Sequence, residues 1–222
     1  MWPGRVIRLS ASRVADMNPV TMIKALLLIF SSPATWQRIS ETPRKWGVVL
    51  ASYVLPMILL VCAAEGYGLV HWGKPRGEIA KVAPFPVPFA VGYEVAQLIL
   101  ALAVVFLAAR LIKSLGGTFH GRHTFSQTFT VAAYGLSPLF LLRLLDAFPS
   151  VSPWLTWLVG IVLCIAVLYS GIPLIMRPDP PHALGLYLMT SMFIFMITGL
   201  LRFVTAWYLM GKFGKLDALI AS

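Results

Sequence analysis

Charge is what this sequence has least of. Asp, Glu, Lys and Arg make up 12% of its 222 residues and hydrophobic residues 59%, with a mean hydropathy of +0.82. Soluble domains run at about a quarter charged, so this chain has too few polar groups to cover a surface in water. Acid is scarcest, eight Asp and Glu against 18 Lys and Arg, and no segment carries the paired carboxylates of a general acid and base. Cysteine is limited to Cys62 and Cys164. Both lie within apolar runs, in no metal-binding spacing and at a depth where structural disulfides seldom form, so they read as small packing residues.

Other signatures are missing as well. No glycine-rich loop followed by Lys cradles a phosphate, and no serine stands in a nucleophile elbow. His120 and His123, three apart in "FHGRH" with no Cys or carboxylate near them, read as part of a solvated loop and not as a metal pair. The expectation is a protein that is not an enzyme and holds no cofactor. Its net charge of +10 is spread over the flanks of apolar segments. That distribution reads as topology and attraction to anionic lipid, not as a nucleic-acid surface.

What the chain does have is long apolar runs. Five suffice to cross a bilayer, roughly 45–71, 88–114, 125–147, 153–176 and 182–210. The expected fold is an all-α membrane protein, a bundle of five transmembrane helices, several of them proline-kinked, with interfacial amphipathic helices before the first. The organisation reads as a basic N-terminal segment (1–44), the five-helix domain (45–210) and a short tail (211–222). Thr42-Pro43, Ser152-Pro153 and Asp179-Pro180-Pro181 each place a capping side chain before a proline suited to a first helical turn. Thr124-Phe125-Ser126-Gln127 reads as a capping box. Gly116-Gly117 and Pro149 read as stops for the second and third spans. Trp46, Trp72, Trp154, Trp207 and Tyr208 fall at span ends, as interfacial anchors do.

The first 45 residues hold seven basic side chains (Arg5, Arg8, Arg13, Lys24, Arg38, Arg44 and Lys45) against Asp16 and Glu41. This excess predicts a cytoplasmic N-terminus and, after five spans, a C-terminus outside. Segments 20–30 and 33–40 read as two short interfacial helices, with Trp36 and Ile39 on one face. Lys24, Arg38, Arg44 and Lys45 then form a lipid-facing basic segment suited to an anionic leaflet.

Two stretches break their apolar runs alike. "AAYGLSPLFLLRLL" (132–145) and "LYSGIPLIM" (168–176) each place a tyrosine four residues before a proline. Proline has no N–H for the carbonyl four residues back, so Pro138 strands Tyr134 and Pro173 strands Tyr169. In "SYVLPMILL", Pro56 strands Ser52 beside Tyr53. Hydrocarbon offers no water, so such carbonyls need hydroxyls or local adjustment, and Ser52, Ser137 and Ser170 are the nearest hydroxyls in sequence. Three kinks of about 20° or more are expected. They suit close packing, helped by Gly135, Gly160, Cys164, Ala166, Ser170 and Gly171, and they also suit hinges.

The order of "LLIFSSPATWQRI", "YVLPMILL", "YGLSPLFLLRLLDAFP" and "LYSGIPLIMRPDPPHALGLY" along residues 24–208 resembles the bacterial Yip1-domain proteins. The resemblance implies a five-helix membrane domain with a cytosolic N-terminus in a bacterial inner membrane. Eukaryotic relatives are linked to prenylated small GTPases through a long cytosolic N-terminal region. The short basic segment here does not match that region, so this partner class does not carry over.

Ionisable residues at bilayer depth are expensive and mark interiors or cavities. Glu94 and Gln97 share a face of the second span, and Arg143 and Asp146 share a face near the end of the third. Glu65 lies near the outer end of the first span and Arg202 within the fifth. Two readings follow. In the first, these are neutralised pairs holding the bundle's register, with Glu94 against Arg143 or Arg202. The protein is then a non-enzymatic scaffold, assembly factor or accessory subunit binding lipids and a membrane-protein partner or its own copies. In the second, Glu94, Gln97 and Arg202 handle protons or solute in a small transporter or channel, although five spans do not divide into equal inverted halves.

Overall fold

A computed structural model describes residues 26–76, 81–118 and 123–210 of the chain. Five helices long and apolar enough to cross a membrane dominate it: span 1, Trp46–His71; span 2, Val87–Thr118; span 3, Phe125–Ala147; span 4, Pro153–Met176; span 5, Pro181–Leu209. Residues 26–30 are helical and an amphipathic helix follows at Ser32–Glu41. Between spans 1 and 2, strands β1 (Lys74–Arg76) and β2 (Lys81–Ala83) pair antiparallel in a small ribbon. The bundle therefore has a hairpin end, carrying this ribbon, and a basic end, where the amphipathic helix lies.

Span 3 has the lowest mean hydropathy of the five, 1.5, yet is 72% buried where the others are 28–39%. The two facts share a cause: a helix surrounded by protein needs fewer apolar atoms than one facing lipid. Span 2 packs against spans 1, 3 and 5, and span 4 against spans 3 and 5 and the amphipathic helix. In lipid such packing rests on close fit and interhelical hydrogen bonds more than on solvent exclusion. At the basic end Trp46 meets Phe106, Phe125 and Phe129 edge-on, with ring centres 5.9, 6.0 and 6.1 Å away, tying the first three spans together.

The three prolines are handled in two ways. Before Pro56 the helix widens into a π-helical turn over Leu50–Val54, in which the Leu55 N–H reaches back to the Leu50 carbonyl. Span 3 breaks at Leu136 (φ −84°, ψ −3°) between the segments Phe125–Gly135 and Ser137–Arg143. Pro56 and Pro138 thereby fall in the first turn of a new helical segment, where a missing N–H costs least. Pro173 stays inside a continuous helix. Two of the serines bond back along their own helices. Ser52 Oγ donates to Val48 O at 2.7 Å and Ser137 Oγ to Ala133 O at 3.2 Å, the carbonyls four residues back from each serine. That is the ordinary reach of a helical hydroxyl.

The tyrosines of the repeated motif also differ. Tyr134 is buried against Tyr53 (ring centres 4.2 Å) and Trp36 (6.2 Å), whereas Tyr169 is 63% exposed on the outer surface beside Tyr187. One motif thus serves the core and the other the outer face. The Thr124–Gln127 capping box is present, with Gln127 N–H to Thr124 Oγ1 at 3.3 Å and Thr124 N–H to Gln127 Oε1 at 2.9 Å. Thr42 does not cap span 1: its hydroxyl closes the preceding helix on Arg38 O at 3.1 Å, and span 1 starts at Trp46. Ser152 and Asp179 occupy N-cap positions without side-chain capping bonds. Gly116-Gly117 does not stop span 2, which runs to Thr118. Gly116 instead admits the His123 ring, which would lie 2.5 Å from a Cβ built there.

Candidate functional site

The ion pairs found among the described residues gather at the hairpin end in two groups. In the first, Glu65 of span 1 is fully buried and its carboxylate receives two cations. Lys74 Nζ, brought over by β1, lies 3.1 Å from Oε1, and Arg143 Nη2 of span 3 lies 2.7 Å from Oε2. The chain reaches this geometry through Gly73, at φ +72°, where glycine turns the end of span 1 into the strand. Gly68 permits the close crossing, since a Cβ there would sit 2.1 Å from Ala147 O.

In the second group, Asp146, also fully buried, accepts from Arg202 of span 5 and from Thr156 Oγ1 of span 4 at 2.6 Å. Arg202 also donates to Pro153 O, at 3.0 Å from Nε and 2.9 Å from Nη2. A carboxylate from span 3, a guanidinium from span 5 and the start of span 4 are thus pinned at one point. Buried ions need such satisfaction, because desolvation offsets much of their attraction.

Arg143 and Asp146, adjacent on one face, therefore bind away from each other to different spans. The pairing of Glu94 with Arg143 or Arg202 that the sequence left open is not formed: Arg143 pairs with Glu65 and Arg202 with Asp146. The sequence had placed Glu65 near this level without a partner. What it concealed was that the ribbon folds Lys74 back over the bundle, nine residues after Glu65.

Glu94 is 9% exposed, with neither carboxyl oxygen hydrogen-bonded among the described residues. Its stem packs on Gly66 of span 1, where a Cβ would lie 3.1 Å from Glu94 Cγ, and the Cys62 thiol lies close by. Gln97 turns to its own helix, Nε2 donating to the Tyr93 hydroxyl at 2.5 Å. Glu94, Gln97 and Arg202 thus share no hydrogen bond, although Gln97, Arg143 and Arg202 line one cavity of about 40 Å³. That space is of water size.

At the basic end, the Tyr53 hydroxyl of span 1 meets Ser137 Oγ of span 3 at 2.5 Å. Because Ser137 donates to Ala133 O, Tyr53 is the donor to it. Gly171, two residues before Pro173, receives the Trp36 indole, and Trp36 Nε1 donates to Val167 O at 3.0 Å. Arg38, Arg44 and Lys45 are exposed at this end. Lys24, His120 and the tail lie outside the described residues. Among the described residues no group of three or more His, Cys, Asp or Glu could hold a metal.

Five apolar helices, the third of them largely buried by the others, define an all-α, multi-pass membrane protein. A family model described as the Yip1 domain matches residues 26–213, and the chain belongs to that family. No curated protein and no solved structure matches it.

Proposed function

We propose that this protein is a non-enzymatic membrane scaffold, assembly factor or accessory subunit of a bacterial inner membrane, with its N-terminus in the cytoplasm. Its work in this reading is to hold lipids and another membrane protein, or further copies of itself, against its helix faces. One observation carries the reading: the buried ions close on one another. Glu65, Lys74 and Arg143 form one group and Asp146, Arg202 and Thr156 the other. Ions committed in this way fix helix register and are costly to move, which suits a rigid platform better than a path for solute.

One residue supports the second reading, a small transporter or channel. Glu94 is the buried carboxyl without a cation of its own among the described residues. Purification in mild detergent followed by mass spectrometry, paired with reconstitution into liposomes, separates the two readings. A stoichiometric membrane-protein partner with no solute movement supports the scaffold. A lone oligomer that moves protons or solute, and stops when Glu94 becomes Gln, supports transport.

A further inference from the structure

A cavity of about 960 Å³ opens at the basic end, between the amphipathic helix, the entries to spans 1 and 3 and the exit of span 4. Its volume is that of a pocket for a sizeable small molecule. Three guanidinium-bearing residues line it: Arg38 on the amphipathic helix, Arg44 on the link to span 1 and Arg177 just past span 4. None forms an ion pair among the described residues.

Arg177 adopts left-handed backbone, φ 44°, at the C-terminal cap of span 4. Glycine takes that position most readily, so an arginine is held there against its backbone preference. Two carboxylates, Glu41 and Asp179, share the lining, and the Asp179 side chain makes no capping bond. The apolar part of the lining includes Leu27, Val49, Leu174 and Ile175, with Tyr134 beside them.

This combination selects an amphiphile. Guanidinium groups match phosphate oxygens in geometry and charge. The apolar floor takes hydrocarbon, and the carboxylates take a cationic group. We propose that the cavity binds a membrane phospholipid whose head carries both a phosphodiester and an ammonium. The phosphodiester lies among Arg38, Arg44 and Arg177, the ammonium toward Glu41 and Asp179, and the acyl chains run over Leu174 and Ile175. The docked amphipathic helix forms one wall, so Trp36 on Gly171 builds the site without touching the ligand. This inference gives the lipid part of the proposed function a place and a chemistry, and it does not depend on whether a protein partner exists.

The test uses the purified full chain, stripped of lipid in detergent, with retention of added phosphatidylethanolamine read by native mass spectrometry. Arg44→Gln and Arg177→Gln should each weaken retention about tenfold, the loss of one charge-assisted contact. Leu174→Trp, which fills the floor without touching charge, should weaken it as well. Lys113→Gln, an exposed lysine at the same end outside the cavity, should leave it unchanged. Equal loss in Lys113→Gln, or undiminished retention in all three cavity variants, would overturn the site. Inorganic phosphate and glycerophosphoethanolamine form the soluble arm. If either competes at the lipid's own concentration, the ligand is a soluble phosphate and the phospholipid assignment is wrong.

Discussion

Trp36 rests against the bare backbone of Gly171, and its indole N–H is spent on the Val167 carbonyl one turn earlier in span 4. The contact joins the amphipathic helix to the bundle at a point 2.5 Å from where any side chain at 171 would have to begin. Gly171→Val should therefore release Ser32–Glu41 while leaving the five spans folded. Limited trypsin digestion in detergent, which cuts at Arg38, should proceed faster in this variant with the bundle intact as a protected fragment. Unchanged digestion would mean that the indole is not what holds the helix.

The Tyr53–Ser137 hydrogen bond joins the widened turn of span 1 to the break in span 3. Tyr53→Phe and Ser137→Ala should each cost about 1 kcal/mol. Because both remove one bond, the double variant should cost clearly less than their sum. Reversible unfolding in mixed micelles measures this, and strict additivity would show that the two hydroxyls do not interact.

Asp146→Asn removes the charge that Arg202 faces and leaves a guanidinium buried near span 4's first turn. Such a break costs about 3–5 kcal/mol in soluble proteins, with smaller values expected in membranes. Replacing both residues by apolar ones of similar size, as in Asp146→Leu with Arg202→Met, should recover much of the loss. Thermal denaturation of the three proteins gives the comparison.

The charge bias of the N-terminal segment predicts that the loops at 115–123 and 177–181 face the cytoplasm with it. Single cysteines introduced there, after Cys62 and Cys164 are replaced, should be shielded from impermeant reagents in intact cells. Labelling of the 115–123 loop from outside would reverse the orientation.

Much of this architecture was legible because lipid enforces a simple grammar. Runs long enough to span, Trp46 and Trp154 at their ends and the Thr124 capping box all carried over into the structure. The prolines marked the irregularities, yet their form was local detail: a widened turn at Leu50–Val54, a break at Leu136, an unbroken helix at Pro173. The charge partners were not legible, because depth along a span does not fix azimuth. Glu65 and Glu94 lie at similar depth, and which one Arg143 meets depends on how spans 1 and 2 rotate against span 3. The Lys74 contact was hidden for a different reason: a ribbon of two three-residue strands leaves almost no pattern in sequence.

The partition between Glu65 and Glu94 is the centre of this account, and thermal stability in mild detergent tests it directly. Glu65→Gln strands both Lys74 and Arg143, and should lower stability by about 3–5 kcal/mol or the smaller membrane equivalent. Glu94→Gln breaks no pair and should stay within about 1 kcal/mol of the parent. A Glu94→Gln protein less stable than Glu65→Gln would contradict the arrangement of charges described above.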